Sequence, residues 1–383
     1  MKRILIFAEF FYPHIGGYES NIRELASRLV RYGYSIDLVT SNTESTIEIE
    51  SINGFNVYRL PCWNIINGTY PIIKPFPSGF RIVRKIWQKP YDAIITNTRF
   101  FQTSLIGAVL SKLRKIPLLH IERGSCHSVT NSSLINLIAR IFDHTFGAWI
   151  VCQAQINVSV SNAVYIFLQH LGAKSIITIP NGIDTDVFQK TTTEIRQRLK
   201  ITNDTVVLAF VGRLIFAKGV QDLLTQTQIL RQKYRNIHLL IAGGGGYRRE
   251  LEKKVLTLNC QDIVSFLGEL NRDQLIDMLS GVDILVNPSY SEGLPTSVLE
   301  AGSMALAIVA TDVGGTREII EHGKNGLLIK AGDSIQLNKA LSKLLDNKGM
   351  RKRLGYNART YIMNNYQWRR ITQQMVDIIN INT

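Results

Sequence analysis

Two glutamates, Glu292 and Glu300, stand with seven residues between them in the stretch SEGLPTSVLEAG. Glu300 lies inside an apolar helix-forming run, and Glu292 lies in the loop that feeds it. Pro295 falls where that helix should start, a position that tolerates its missing N–H and fixed φ. Such a start leaves backbone N–H groups unpaired at the positive end of the helix dipole, which suits an anion. Glu300, little more than one turn in, then reaches both hydroxyls of a ribose attached to that anion. The spacing fits a nucleotide diphosphate: amides for the phosphates, Glu300 for the nucleoside's sugar, Glu292 beside the group transferred. Acidic residues also gather at helix starts simply to complement the dipole. The flanking chain has to decide between these readings.

The flanks favour a site. The segment follows DILVNPS, an apolar strand, so both glutamates emerge at a strand's carboxyl end, where open α/β sheets bind ligands. Upstream, LAFVGRLIFAKGVQDLL sets Arg213 and Lys218 five residues apart at another strand-to-helix junction. Two cations there would neutralise the charge developing on a diphosphate leaving group without a metal. An exposed Arg and Lys are also the commonest fate of either residue; the nearby glutamates tip the reading towards function. The glycine run NIHLLIAGGGG, with Gly243 and Gly244, lacks the third position and the downstream acid of a dinucleotide fingerprint, and reads as a loop leaving room for a nucleoside base. Asp184–Thr185–Asp186 imitates a D-x-D metal site, but it lies in a turn, where Asp bonds its own backbone. No other His, Asp or Glu cluster has metal spacing, so no metal is expected. His120 ends an apolar strand and His127 follows in HIERGSCHS, with Arg123 between them. A strand-end histidine is more often a bonded structural residue than a catalyst.

The elements that must position these residues alternate strand and helix, the mark of parallel sheets. Strands are expected at Arg3–Ala8, Ser35–Thr40, Ala93–Thr96, Pro117–Ile121, Trp149–Cys152 and Ile176–Ile179. Helices are expected from about Glu19 to Arg31 and over Phe101–Arg114, Leu134–Phe146 and Asn157–His170. After the break IPNGID the alternation restarts, with strands at Val206–Val211, Ile237–Ala242, Ile263–Phe266, Asp283–Asn287, Ala307–Ala310 and Gly326–Ile329. The expected fold is α/β: two Rossmann-like, doubly wound parallel-sheet domains facing a cleft. The divisions fall at 1–182, 183–366 and a closing helix over 367–383. A chain of 383 residues is long enough for two such cores.

The net charge is +14. There are 18 basic and 11 acidic residues up to Asp184, and 26 and 19 beyond it, so each half carries +7. KPFPSGFRIVRKIWQK holds Lys74, Arg81, Arg84, Lys85 and Lys89 without an acid, interleaved with Phe76, Phe80, Ile82, Val83, Ile86 and Trp87. That basic amphipathic pattern suits an anionic membrane surface, though a solvated helix face has the same look. No nucleic-acid-binding signature is present, so nucleic acid is not the expected partner. Cys62, Cys126, Cys152 and Cys260 lack paired spacing, as expected of reduced thiols in a cytosolic compartment. No uninterrupted apolar run approaches the roughly 20 residues a bilayer requires. MKRILIFAEFF breaks at Glu9 and reads as a buried first strand rather than a signal peptide.

Taken together, FYPHIGGYESNIRELASRL, VSNAVYIFLQHLGAKSIITIPNGIDTDVF, FVGRLIFAKGVQDLL and GVDILVNPSYSEGLPTSVLEAGSMALAIVATDVGGTREII resemble the family 4 retaining glycosyltransferases of GT-B fold, across essentially the whole chain. The resemblance implies that Gly16 and Gly17 approach donor phosphates and acceptor, with Tyr18 beside them. Arg213 and Lys218 would hold the diphosphate. Gly293, Leu294, Pro295 and Thr296 would contact sugar or phosphate, Glu292 would lie beside the transferred sugar, and Glu300 would bind ribose. It further implies front-face transfer, in which the departing phosphate oxygen helps deprotonate the acceptor, and a last helix around Trp368 crossing back onto the first domain. The chain departs from the family at Glu122–Arg123–Gly124–Ser125, where a His usually precedes Gly-Ser. The alternatives there are that Arg123 binds a sugar hydroxyl or an acidic substrate group, that His120 or His127 takes the place of the missing His, or that activity is weak or altered.

The resulting expectation is a metal-independent hexosyltransferase acting on a nucleotide sugar and a saccharide acceptor, lipid-linked, in bacterial-type surface polysaccharide or glycolipid synthesis. It would work in the cytoplasm, peripheral on the membrane. The alternatives are a nucleotide-sugar epimerase of the same fold and a degenerate membrane- or nucleic-acid-binding protein.

Overall fold

The computed structural model describes every residue except 45–46, 66–69, 76, 131 and 383. Phe76 of the basic stretch therefore lies outside the described residues. The chain divides into two compact units. The first contains Met1–Ser128, Ser132–Asn181 and Arg369–Thr383; the second is chiefly Gly182–Trp368.

In the second unit the strands run Val264–Gly268, Ile237–Ala242, Val206–Val211, Ile284–Asn287, Ala307–Thr311 and Leu327–Ile329 across the sheet, all parallel. Numbered along the chain, that order is 3-2-1-4-5-6. Segments such as VVLAFV and the AIVA of Ala307–Thr311 are continuously apolar because helices cover both faces of such a sheet. Leu208, Leu239, Ile241, Ile284 and Val309 form the core with Leu223 and Leu341 from flanking helices.

The first unit repeats the plan with more strands. The parallel series is Phe55–Ile65, Ser35–Asn42, Arg3–Phe7, Ala93–Asn97, Leu118–Glu122, Ile156–Ser159 and Ile176–Thr178, or 3-2-1-4-5-6-7 along the chain. Ile49–Ile52 and Tyr70–Ile73 add antiparallel pairings to Phe55–Ile65. In each sheet the chain order reverses between its first and fourth parallel strands, the point where ligands sit beyond the carboxyl ends.

Two expectations fail in the first unit. Trp149–Cys152 is not a strand; it belongs to the helix Ala148–Gln153. The sixth parallel strand is instead Ile156–Ser159, and the next helix begins at Asn162 rather than Asn157. Locally, WIVC is β-prone. It nevertheless continues a helical run that starts at Ser133 and passes through a π-turn at Asp143–Gly147, and Ile150 and Ala154 are drawn into the core. Tertiary packing overrides propensity in segments this short. That run, Ser133–Gln153, spans 21 residues and is long and apolar enough, by length and composition, to cross a bilayer, despite the polar residues within it.

At the junction, a Cβ on Gly182 would collide with the Trp368 ring. Ile183 N–H donates to Tyr366 O at 2.8 Å, and Trp368 N–H returns to Ile183 O at 3.3 Å. The following segment is part of the first unit, where Tyr34 Oη donates to Asn380 Oδ1 at 2.9 Å.

Candidate functional site

The loops after the first and fourth strands of the second sheet are joined across the switch point. Gly219 has φ +68°, and a Cβ there would run into the Pro288 carbonyl, so only glycine allows this approach. Tyr290 N–H donates to Ala217 O at 2.8 Å, and the Tyr290 ring stacks on Phe216 with centroids 5.5 Å apart. Tyr290 Oη donates to Asp222 Oδ2 at 2.6 Å. This closure delivers Lys218 to Glu292, with Nζ 2.7 Å from Oε1. The same oxygen lies 2.7 Å from Ser289 Oγ and 3.3 Å from Asn287 Nδ2. Glu292 is 9% exposed, with Lys218, Ser289 and Asn287 among the groups that hold it. Arg213, by contrast, is exposed, and its guanidinium makes no hydrogen bond or ion pair among the described residues.

The helix carrying Glu300 is Thr296–Ser303. Pro295 is its N-cap, one position earlier than a Pro within the first turn, with φ −71°, ψ 113° and no side-chain cap. Gly293 O accepts from Gly315 N–H at 2.8 Å, which ties the loop to the next strand's end. Leu294 is buried, so only its backbone is available to a ligand. The Glu300 carboxylate is half-buried and has no hydrogen-bond partner among the described residues. Desolvation raises its pKa to about 8 against the opposing charge of Arg272.

The glycine run has a packing explanation. A Cβ on Gly243 would strike Gly212 O, one on Gly244 the Glu269 carboxylate, and one on Gly245 Leu214 O. Leu214 N–H donates to Gly244 O at 2.6 Å. The glycines let neighbouring strand-end loops touch, whatever else the loop admits. Asp184 Oδ1 accepts from Asp186 N–H at 3.2 Å, so this carboxylate is engaged within its own turn.

In the first unit, Gly16 caps the helix Gly17–Arg31 without a side-chain hydrogen bond, at the carboxyl end of the first strand. Tyr18 Oη donates to Asn97 O at 3.3 Å, and burial pushes its phenol pKa up. The Arg123 guanidinium sits 5.8 Å over the Tyr18 ring and donates to Asn21 Oδ1 and Asn181 Oδ1. Desolvation lowers its pKa to about 10, which leaves it charged at neutral pH.

His120 is fully buried, with Nδ1 2.9 Å from Thr96 Oγ1 and Nε2 3.3 Å from Glu122 Oε2. That burial removes it from contact with a ligand. His127 Nδ1 lies 2.7 Å from Asp143 Oδ2, on a network the sequence does not reveal. Arg99, 4% exposed, bridges Glu122 at 3.1 Å and Asp143 at 2.9 Å. Burial alone would raise the Glu122 carboxyl, but Arg99, His120 and the Gly124 N–H hold it well below the usual carboxylate range. The partners Asn287 and Ser289 of Glu292 carried one visible signal, their place at a strand's end. The pairing of Arg99 with Glu122 and Asp143, 23 and 44 residues away, carried none.

Sequence comparison matches residues 15–187 to Glycosyltransferase Family 4 and residues 191–361 to Glycosyl transferases group 1. An uncharacterised glycosyltransferase, MJ1069 of Methanocaldococcus jannaschii, is 30% identical over 97% of this chain and 96% of its own. The phosphatidylinositol N-acetylglucosaminyltransferase GPI3 subunit of Saccharomyces cerevisiae is 25% identical over 83% of this chain and 70% of its own. Among solved structures, sucrose-phosphate synthase from Thermosynechococcus elongatus superposes with TM-score 0.81 at 21% identity, covering 99% of this chain and 98% of that one. Anabaena HepE in complex with UDP and glucose gives 0.78 at 20%, covering 99% and 100%. WaaG, a glycosyltransferase involved in lipopolysaccharide biosynthesis, gives 0.75 at 19%, covering 98% and 99%.

Proposed function

This chain belongs to the family 4, group 1 glycosyltransferases of GT-B fold, and from that premise we propose that it transfers a hexose from a nucleotide diphosphate sugar, with retention and without a metal. The observation that carries the reading is the Lys218–Glu292 pair at the second sheet's switch point, with the exposed cation Arg213 on the same loop as Lys218. In this reading Arg213 and Lys218 take up the charge that develops on the departing diphosphate. Glu300, whose carboxylate has no donor among the described residues, accepts from the ribose hydroxyls. The uncapped start of the Thr296–Ser303 helix and the backbone of Gly293 and Leu294 face the phosphates and sugar. The acceptor oxygen bonds to the anomeric carbon as the bond from that carbon to the phosphate oxygen breaks. The acceptor's proton passes to the departing oxygen, and the nucleoside diphosphate leaves. Glu292, pinned by Lys218, Ser289 and Asn287, sets its carboxylate beside the sugar.

A lipid-linked acceptor at an anionic, cytoplasm-facing membrane is supported by two surfaces of the first unit. The helix Pro77–Trp87 exposes Phe80, Val83 and Trp87 together with Arg81, Arg84 and Lys85. The helix Ser133–Phe142, just beyond the Arg123 loop, exposes Leu134, Leu137, Ile138 and Ile141. We read the run Ser133–Gln153 as lying on a surface rather than spanning, because Asp143 within it is fully buried against Arg99 and Ile150 and Val151 are core residues. The name of the GPI3 relative, with its phosphatidylinositol, supports a lipid acceptor.

The test is the melting temperature with UDP, GDP or ADP and their sugar conjugates, in the presence of a chelator. A ligand at 100 times its dissociation constant stabilises the native state by about 2.7 kcal/mol. One base should raise the melting temperature clearly, and Glu300→Ala should abolish the rise. No rise with any nucleotide would sink the reading.

A further inference from the structure

We propose that His127, His144 and His170 form a transition-metal site on the first unit, with Zn2+ as the fitting ion. No spacing in the sequence brings these residues together: one is in the loop after Arg123, one in the π-turn Asp143–Gly147, and one ends the helix Asn162–His170. Folding places one imidazole nitrogen of each within 4.8 Å of the others. Small rotations of the two exposed rings close that span towards Zn–N distances of about 2.0–2.1 Å.

The supporting groups are also in place. His127 Nδ1 lies 2.7 Å from Asp143 Oδ2, so Nδ1–H is donated to the carboxylate and the lone pair falls on Nε2. Asp143 is itself held by Arg99 Nε at 2.9 Å and Nη2 at 3.0 Å, which fixes the direction of the His127 ring. Metal-binding histidines are commonly oriented by such a carboxylate. The rings of His127 and His144 are 5.2 Å apart and those of His144 and His170 5.4 Å, while Phe167 lies 5.2 Å from His127 and covers one side. His170 stands at its helix's C-terminus, where the dipole favours a cation. A π-turn is rare in a helix and is frequent at functional sites.

Three nitrogen donors suit Zn2+, Co2+, Ni2+ or Cu2+ rather than the oxygen-seeking Ca2+ or Mg2+, and leave one coordination position to water or a ligand oxygen. The ion would tie the loop that follows Arg123 to the π-turn and to the helix end. It would thereby steady the carboxyl end of the first sheet. It involves none of the residues assigned to the nucleotide sugar's phosphates.

The full-length chain, stripped with chelator and desalted, would be titrated with Zn2+ in competition with a chromophoric chelator, and with Co2+ while its visible spectrum is followed. His144→Ala and His170→Ala remove exposed side chains, and circular dichroism would verify their fold. We expect one Zn2+ per chain and a four-coordinate Co2+ spectrum. Affinity should fall in each variant by more than the about 10–100-fold that loss of a supporting partner costs. Unchanged affinity in both variants would place any ion elsewhere and overturn the proposal, as would absence of Zn2+ binding by the unmodified chain. Nucleotide-induced stabilisation, measured on the same variants, should stay intact, so failure here is separable from failure of the donor assignment.

Discussion

Each sheet sets an Arg or Lys against a glutamate near its strands' carboxyl ends, and the two units treat that pair in opposite ways. In the first, Arg99, Glu122 and Asp143 are at most 4% exposed and enclose one another, with His120 and His127 completing the set. In the second, Lys218 remains 19% exposed beside Glu292, and Arg213 stands in solvent. Taking ions out of water is repaid only by full pairing. The first network is therefore complete and acts as scaffold. The second keeps cationic capacity that the proposed donor diphosphate would use. A charged strand end reads as functional where hydrogen-bonding capacity is left over, as at Arg213 and Glu300. Arg123 is intermediate: charged, half-buried, and resting on Tyr18 with two Asn partners.

The contrast can be broken by substitution. Arg99→Leu should cost about 3–5 kcal/mol of stability, because Glu122 and Asp143 are then buried without their cation; thermal melts read this directly, and nucleotide affinity of the molecules that still fold should be unchanged. Glu292→Ala and Lys218→Ala should do the reverse. Transfer should fall by about 10²–10³-fold or more in each, the scale of removing one preorganised electrostatic group, with circular dichroism unaltered. Wild-type turnover by Glu292→Ala would end the assignment of that site.

Glu300 gives a pH test. Its pKa is raised from 4.5 to about 8, so the free protein holds it neutral through the neutral range. Binding ribose hydroxyls favours the ionised carboxylate, so nucleotide affinity should climb with pH towards about 8, by at most about tenfold per unit, then level off. Apo stability runs the other way. The protonated form is the one folding favours, so its contribution is full below pH 4.5 and is lost as pH rises through about 8. Glu300→Gln should flatten both curves. Arg123→Ala should have the smallest effect, raising the acceptor's KM without moving nucleotide affinity.

Legibility follows the same division. In the second unit, Val206–Val211 and Ile237–Ala242 are read from sequence to the residue, because strands covered on both faces are unbroken apolar runs. Glu292, Glu300, Arg213 and Lys218 are likewise visible as short spacings near strand ends. In the first unit, Trp149–Cys152 misleads because a four-residue apolar run serves a helix as well as a strand. The strand Phe55–Ile65 escapes because its polar interruptions, Asn56, Arg59 and Asn64, hide the pattern.

By itself, then, the sequence determined the alternation of strand and helix and the segments that carry Glu292, Glu300, Arg213 and Lys218. All of these are set by neighbours within about ten positions along the chain. Only the tertiary structure decided that Lys218 meets Glu292, that Glu300 has no donor among the described residues, that His120 is sealed inside the sheet, and that three histidines from separate segments share one spot. Those outcomes depend on burial and on pairs as many as 74 residues apart. Whether a charge ends in solvent, in a partner's grip or in a desolvated pocket is fixed by what folding packs around it.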